Sequence, residues 1–131
     1  MTVSLTPFLM FQGQCEAAIT AYVALFPNSS ITSITHHGES GPGTAGSVAM
    51  AAFSLNGLDF MALDSAITHA FGFTPSFSTF VVCDSEAEID RLFAGLSKGG
   101  EVLMDLGDHG FSKKFGWCSD RFGVSWQLNL A

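Results

Sequence analysis

The sequence predicts an α+β chain built as a duplicated β-α-β-β-β unit, and three observations carry that prediction. Short strand-like runs dominate, broken by Gly, Pro, Asn and Ser, with two helix-like stretches among them. The helical stretches superimpose at a constant offset of 70, placing Ile19, Tyr22, Val23 and Phe26 on Ile89, Leu92, Phe93 and Leu96. Downstream, NGLDFMAL and FGVSWQLN superimpose at an offset of 66, pairing Gly57 with Gly123, Phe60 with Trp126 and Met61 with Gln127.

Taken in order, the first strand is expected at about 6–12. CEAAITAYVALF then places Cys15, Ile19, Tyr22 and Phe26 on one stripe at helical spacing, and Pro27-Asn28 stops the helix. Strands follow at about 29–36, 47–55 and 58–64, and the second half opens with a strand at 76–83. SEAEIDRLFAGL repeats the helical stripe; Ser85 and Glu88 have capping-box spacing and Gly99-Gly100 ends the helix. Strands at 101–106 and 123–130 and a weaker one near 113–118 complete the count. Carried upstream, the offset of 70 pairs Met10 with Phe80, Gln12 with Val82 and Gln14 with Asp84. The chain reads as one domain over 1–131, with repeats at about 1–66 and 74–131. HHGESGPGTAGS and SAITHAFGFTPS are its long loops.

Composition narrows the function. Hydrophobic residues make up 47% of the chain and charged residues 13%, a balance that favours a face covered by a partner, most simply a homodimer. Residues 1–90 hold eight acids and no Lys or Arg, while the remainder holds all five bases against four acids. Such a surface repels phosphate backbones, so no nucleic-acid partner is expected, and a small apolar or cationic molecule fits better. No apolar run reaches the roughly 20 residues of a membrane span, and the start MTVSLTPFLMF lacks the basic opening and cleavage site of a signal peptide. The expectation is a cytoplasmic protein with no membrane partner.

Reactive motifs are sparse. Cys15, Cys83 and Cys118 are too far apart for a metal knuckle and odd in number, so buried free thiols are expected. Cys83, read as ending a strand on its open face, has acidic neighbours that disfavour a thiolate. His36 and His37 are adjacent and would point to opposite faces of a strand, and His69 lies in a loop. His109, near Asp105 and Asp108, is the best histidine candidate for acid-base or weak metal chemistry. There is no nucleophile elbow, P-loop or dinucleotide fingerprint, and GPGTAG opens no helix.

The segments TPFLMFQGQCEAAITAYVALFPNSSI, GPGTAGSVAMAAFSLNGLDFMALD, FSTFVVCDSEAEIDRLFAGLSKGG and FSKKFGWCSDRFGVSWQLNL cover nearly the whole chain. Together they resemble the PhnB-like branch of the vicinal oxygen chelate superfamily, which includes glyoxalase I, dihydroxybiphenyl and other extradiol dioxygenases, and fosfomycin and bleomycin resistance proteins. The resemblance implies an eight-stranded cupped mixed sheet, two helices outside it, and a cavity inside each cup, often completed by dimerisation. Some relatives in this branch carry a demethylubiquinone methyltransferase label; no glycine-rich adenosylmethionine loop follows the first strand here, so the sequence does not support that activity.

Metal-binding members of the superfamily take ligands from four strands: His or Gln on the first, Glu closing the first half, His on the fifth and Glu on the eighth. Aligned on this pattern, the positions fall on Pro7, Met61, Phe77 and Gln127, which offer no imidazole and no carboxylate. No metal and no other cofactor is therefore expected. The implied cavity is apolar, lined by Pro7, Met61, Phe77, Gln127 and the loop residues Phe71 and Phe73, with the Gln127 amide to orient a ligand. Phe60, Phe80 and Trp126 are assigned to the helix-facing side. The reading that follows is a dimeric small-molecule-binding protein; the competing one is a metal-dependent glyoxalase- or dioxygenase-type enzyme with its site elsewhere in the chain.

Overall fold

The computed structural model describes residues 2–131 and contains two helices and eight strands. The first unit runs as far as His69 and the second spans Ala70–Ala131. In the first, β1 (Phe8–Phe11), α1 (Cys15–Leu25), β2 (Ser30–His36), β3 (Val48–Leu55) and β4 (Leu58–Asp64) follow in sequence. In the second come β5 (Ser78–Cys83), α2 (Glu86–Ser97), β6 (Glu101–Gly107), β7 (Phe115–Ser119) and β8 (Ser125–Leu130). The strand orders are β1-β4-β3-β2 and β5-β8-β7-β6, so each unit has the same mixed sheet with one parallel pair, β1 with β4 and β5 with β8. This is the predicted β-α-β-β-β unit, present twice.

Local chemistry sets the element ends. Asn56 and Gly57 both adopt positive φ, 46° and 93°, which gives a two-residue turn whose twist matches the strands it joins and fixes the β3–β4 register. Ser85 adopts an extended conformation and its hydroxyl accepts from the Glu88 amide at 3.2 Å, capping α2 as the spacing predicted. In α1 the corresponding Gln14 makes no side-chain cap.

Each helix packs on one face of its own sheet. Ile19, Tyr22 and Phe26 in the first unit, and Ile89, Leu92, Phe93 and Leu96 in the second, are buried, as the repeated stripe requires. Burial of each such side chain contributes about 1.5–3 kcal/mol. Under α1 the sheet offers Phe11, Ala51 and Ala62 and the stacked rings of Phe53 and Phe60, whose centroids lie 5.1 Å apart. Under α2 it offers Cys118, Leu128 and Trp126, and the Phe93 ring lies so close to Gly116 that a Cβ there would come within 2.5 Å of it. Only glycine lets α2 settle at this depth.

Strand register corrects two expectations. Phe80 is aligned with Gln127, whereas Thr79 is aligned with the buried Trp126, so Phe80 lies on the face turned away from α2 and is 56% exposed. Cys83 is three residues further along, on the opposite face, and is 4% exposed beneath the helix rather than on the open side. Both follow from one cause, since period-2 alternation makes a one-residue error in β5 exchange its faces. The repeat offset of the first strands changes as well. Phe8 is aligned with Met61 as Phe80 is with Gln127, so these strands correspond at 72 rather than 70, because the spacing from the strand end to the helix stripe is two residues shorter in the second unit, Cys83 to Ile89 against Phe11 to Ile19.

Candidate functional site

The open face of the second sheet carries a concave pocket of about 480 Å³. Phe80 reaches it from β5, Gln127 and Asn129 from β8, Phe115 and Trp117 from β7, Met104 from β6, and Phe111 from the loop before β7. Pairing explains why these residues share one surface. Phe80, Gln127 and Trp117 form one cross-strand row, with Met104 beyond Trp117, while Val82, Asn129 and Phe115 form the next. The Phe111 and Phe115 rings meet edge to face at 5.0 Å, and Phe80 lies 6.3 Å from Phe115. The volume falls within the roughly 300–1,000 Å³ usual for small-molecule sites.

A short polar chain holds the floor. Trp117 Nε1 donates to Ser125 Oγ at 2.9 Å, Ser125 Oγ lies 2.6 Å from Ser78 Oγ, and Gln127 Nε2 donates to Ser78 Oγ at 3.3 Å. With its nitrogen committed to Ser78, Gln127 has Oε1 left as an acceptor, and none of the seven lining residues carries a charge. Desolvating these amides and rings is far less costly than desolvating an unpaired carboxylate.

The residues predicted for the site are placed as follows. Gln127 lines the pocket. Phe77 precedes β5 and is 67% exposed, Phe71 is exposed in the preceding loop, and the Phe73 side chain packs beside Gly123; none of the three lines this pocket. Met61 and Pro7 belong to the first unit, where the Met61 amide donates to the Pro7 carbonyl at 2.9 Å and Met61 faces away from α1. Sequence reasoning missed Phe80, Met104, Phe111, Phe115, Trp117 and Asn129. Phe80 was lost to the face error; Asn129 could have been found from Gln127 alone, since residues two apart on a strand share a face.

The remaining titratable groups serve structure. Asp64, buried, accepts from the amides of Gly13, Cys15 and Val48 at 2.7–3.0 Å, tying β4 to the start of α1 and to β3. Asp120, also buried, accepts from the Phe122 and Val124 amides and from Trp126 Nε1 at 2.9–3.0 Å. Burial, reinforced by Asp64 and Glu16, pushes the Cys15 thiol up to about 12; burial and Asp120 push Cys118 up to about 12. Cys83 is raised by burial and then by Glu88 and Asp84. His109 Nε2 meets the backbone carbonyl of Asp105 at 2.6 Å, while the Asp108 carboxylate accepts from Gly110 N. His36 pairs with Glu16 at 2.7 Å.

A metal is implied by much of the superfamily, and the donor set can be tested directly. Gln127 has only a neutral amide to offer beside aromatic rings, and no three His, Cys, Asp or Glu converge among the described residues. That chemistry does not fit a zinc, iron or manganese centre.

Two β-α-β-β-β units with this strand order define the chain as a protein of the vicinal oxygen chelate fold. The family model described as 3-demethylubiquinone-9 3-methyltransferase matches residues 3–129, and the chain belongs to that family, the PhnB-like branch of the superfamily. The solved PhnB protein from Bacillus cereus is similar at 50% identity and a TM-score of 0.97, over 98% of this chain and 100% of that one. PA1353 from Pseudomonas aeruginosa is 30% identical with a TM-score of 0.84, over 98% of each chain. The fosfomycin resistance protein FosX from Listeria monocytogenes shares the fold at 12% identity and a TM-score of 0.63, over 100% of this chain and 94% of that one. No curated protein matches. Among the described residues, no helix is long and apolar enough to cross a membrane.

Proposed function

We propose that the chain binds a small apolar or cationic molecule without using a metal, and that it works as a homodimer. The observation that carries this reading is the uncharged aromatic pocket of the second unit, with the Gln127 amide held at its floor. Met61 on β4 and Pro7, immediately before β1, are proposed as ligand contacts in the first unit. The homodimer rests on the exposed apolar side chains, among them Phe77, Val82 and Phe111, on a chain with few charges.

Trp117 lines the pocket whereas Trp126 is buried, so indole fluorescence reports directly on occupancy. Titration with toluene and with benzyltrimethylammonium is expected to give a saturable change for at least one of them. A flat response to both, and to benzamide and benzoate as well, up to millimolar concentration would overturn the binding reading. Sedimentation at micromolar concentration is expected to give a dimer mass; a monomer there would remove that element.

The competing metal-enzyme reading predicts stoichiometric divalent metal in the purified protein, and elemental analysis decides between the two. The methyltransferase activity in the family's description is not carried over to this chain. At the first strand-to-helix junction, the Gly13 and Cys15 amides are turned onto Asp64 rather than presented to a cofactor.

A further inference from the structure

Resting on the binding reading above, we propose that the pocket takes a neutral, flat aromatic or heteroaromatic ligand with an amide-like edge, one carrying both a hydrogen-bond donor and an acceptor, in preference to a cation. Alternate positions of β8 bring Gln127 and Asn129 onto the same face and into the same pocket. The equivalent positions of β4 carry Met61 and Leu63, so the fold does not require amides there.

The two amides are presented differently. The hydrogen-bonded chain from Trp117 through Ser125 and Ser78 engages Gln127 Nε2 and leaves Oε1 available to accept from a ligand. Asn129 has no side-chain partner among the described residues, which leaves it one acceptor and two donor hydrogens for a ligand. Side by side they offer a donor and acceptor pair complementary to a carboxamide or lactam edge. Phe80, Phe115 and Trp117 supply apolar surface for the ring that bears it.

Charge decides against the cation. No carboxylate lines the pocket, so a buried cation would exchange its hydration for ring faces and two neutral amides, whereas a neutral amide can exchange water contacts for equivalent protein ones. The overall net charge of −7 raises the local concentration of cations near the protein and speeds their encounter, without supplying a partner inside the pocket.

The test compares four probes of similar size, benzamide, toluene, benzyltrimethylammonium and benzoate, by Trp117 fluorescence on the intact chain. Gln127→Met and Asn129→Leu install the side chains that the first unit carries at these strand positions, and circular dichroism melts check that both variants fold. Benzamide is expected to bind about tenfold more tightly than toluene and than either charged probe, with each substitution reducing the ratio of benzamide to toluene affinity about fivefold. A cation that binds as tightly as benzamide, or a benzamide-to-toluene ratio that survives both substitutions, overturns the inference while leaving the binding reading intact. Silence with all four probes overturns both.

Discussion

The two units share one chain path and differ on one face. In the first, the face turned away from the helix presents Phe8, Met10, Met61 and Leu63 across β1 and β4, with Ala52 beside Met61 on β3. In the second, the corresponding positions are Phe80, Val82, Gln127 and Asn129, with Trp117 beside Gln127. The helix-facing sides have hardly diverged: Ile19 answers to Ile89, Tyr22 to Leu92 and Phe60 to Trp126, all buried. Packing against a helix restricts a side chain from every direction, whereas the open face only has to remain compatible with a strand. Divergence between the halves is therefore concentrated where a ligand can make use of it.

The sharpest test of the shared inner side is thiol reactivity. Cys15 and Cys118 lie under the helices of the two units with pKa values pushed up to about 12 from 9.0. A raised thiol pKa means less thiolate at a given pH, so at pH 8 both are expected to alkylate about a thousandfold more slowly in the native protein than after denaturation. Mass spectrometry after iodoacetamide treatment reads this out. Rapid labelling of either in the native state would break the equivalence of the two cores.

Next in size are the buried carboxylates. Asp64→Ala and Asp120→Ala each strand three N–H donors, and each is expected to destabilise the fold by about 3 kcal/mol or more in urea titration. A loss below about 1 kcal/mol in one but not the other would show that only one unit depends on its carboxylate.

The open face responds more weakly. Gln127→Glu is expected to destabilise by about 1 kcal/mol at pH 8, because the site is half-buried among uncharged groups. A carboxyl whose folded pKa is raised destabilises above that pKa and ceases to do so as pH falls and it protonates, so the penalty should fade in melts at pH 5. Met61→Glu in the first unit is the matched comparison, and equal pH dependence at both positions would erase the asymmetry between the faces. Smallest are the helix starts. Ser85→Ala is expected to cost about 1 kcal/mol through loss of its cap, and Gln14→Ala, which removes no cap, less than about 0.5 kcal/mol. Thermal melts distinguish the two.

Fold and site were not equally legible in the sequence. The helices and repeat were readable because stripe spacing, Ser85, Gly99 and the Gly57–Gly123 correspondence are local signals whose meaning tertiary contacts did not alter. Gln127 was found because it falls where the resemblance places the eighth-strand glutamate of metal-binding members, next to Trp126. Phe80 was assigned to the helix-facing side and Cys83 to the open side because β5 is apolar on both faces: Phe80 and Val82 look outward, Val81 and Cys83 alternate with them, and hydrophobicity alone cannot choose the face. Met104, Phe115 and Trp117 reach the pocket through long-range pairing, and irregularities in the β6–β7 register move Met104 opposite Trp117 in a way no local spacing announces.

The open face of the second unit, with Gln127 and Asn129 at its floor, is the proposed ligand site. Amide and indole nuclear magnetic resonance shifts during a benzamide titration test it most directly. Saturable shifts are expected at the Trp117 indole N–H, the Gln127 and Asn129 side-chain amides and the Phe80 backbone, with the Trp126 indole unmoved against Asp120. Shifts confined to Phe8, Met10 and Met61, or spread evenly over both units, would contradict it.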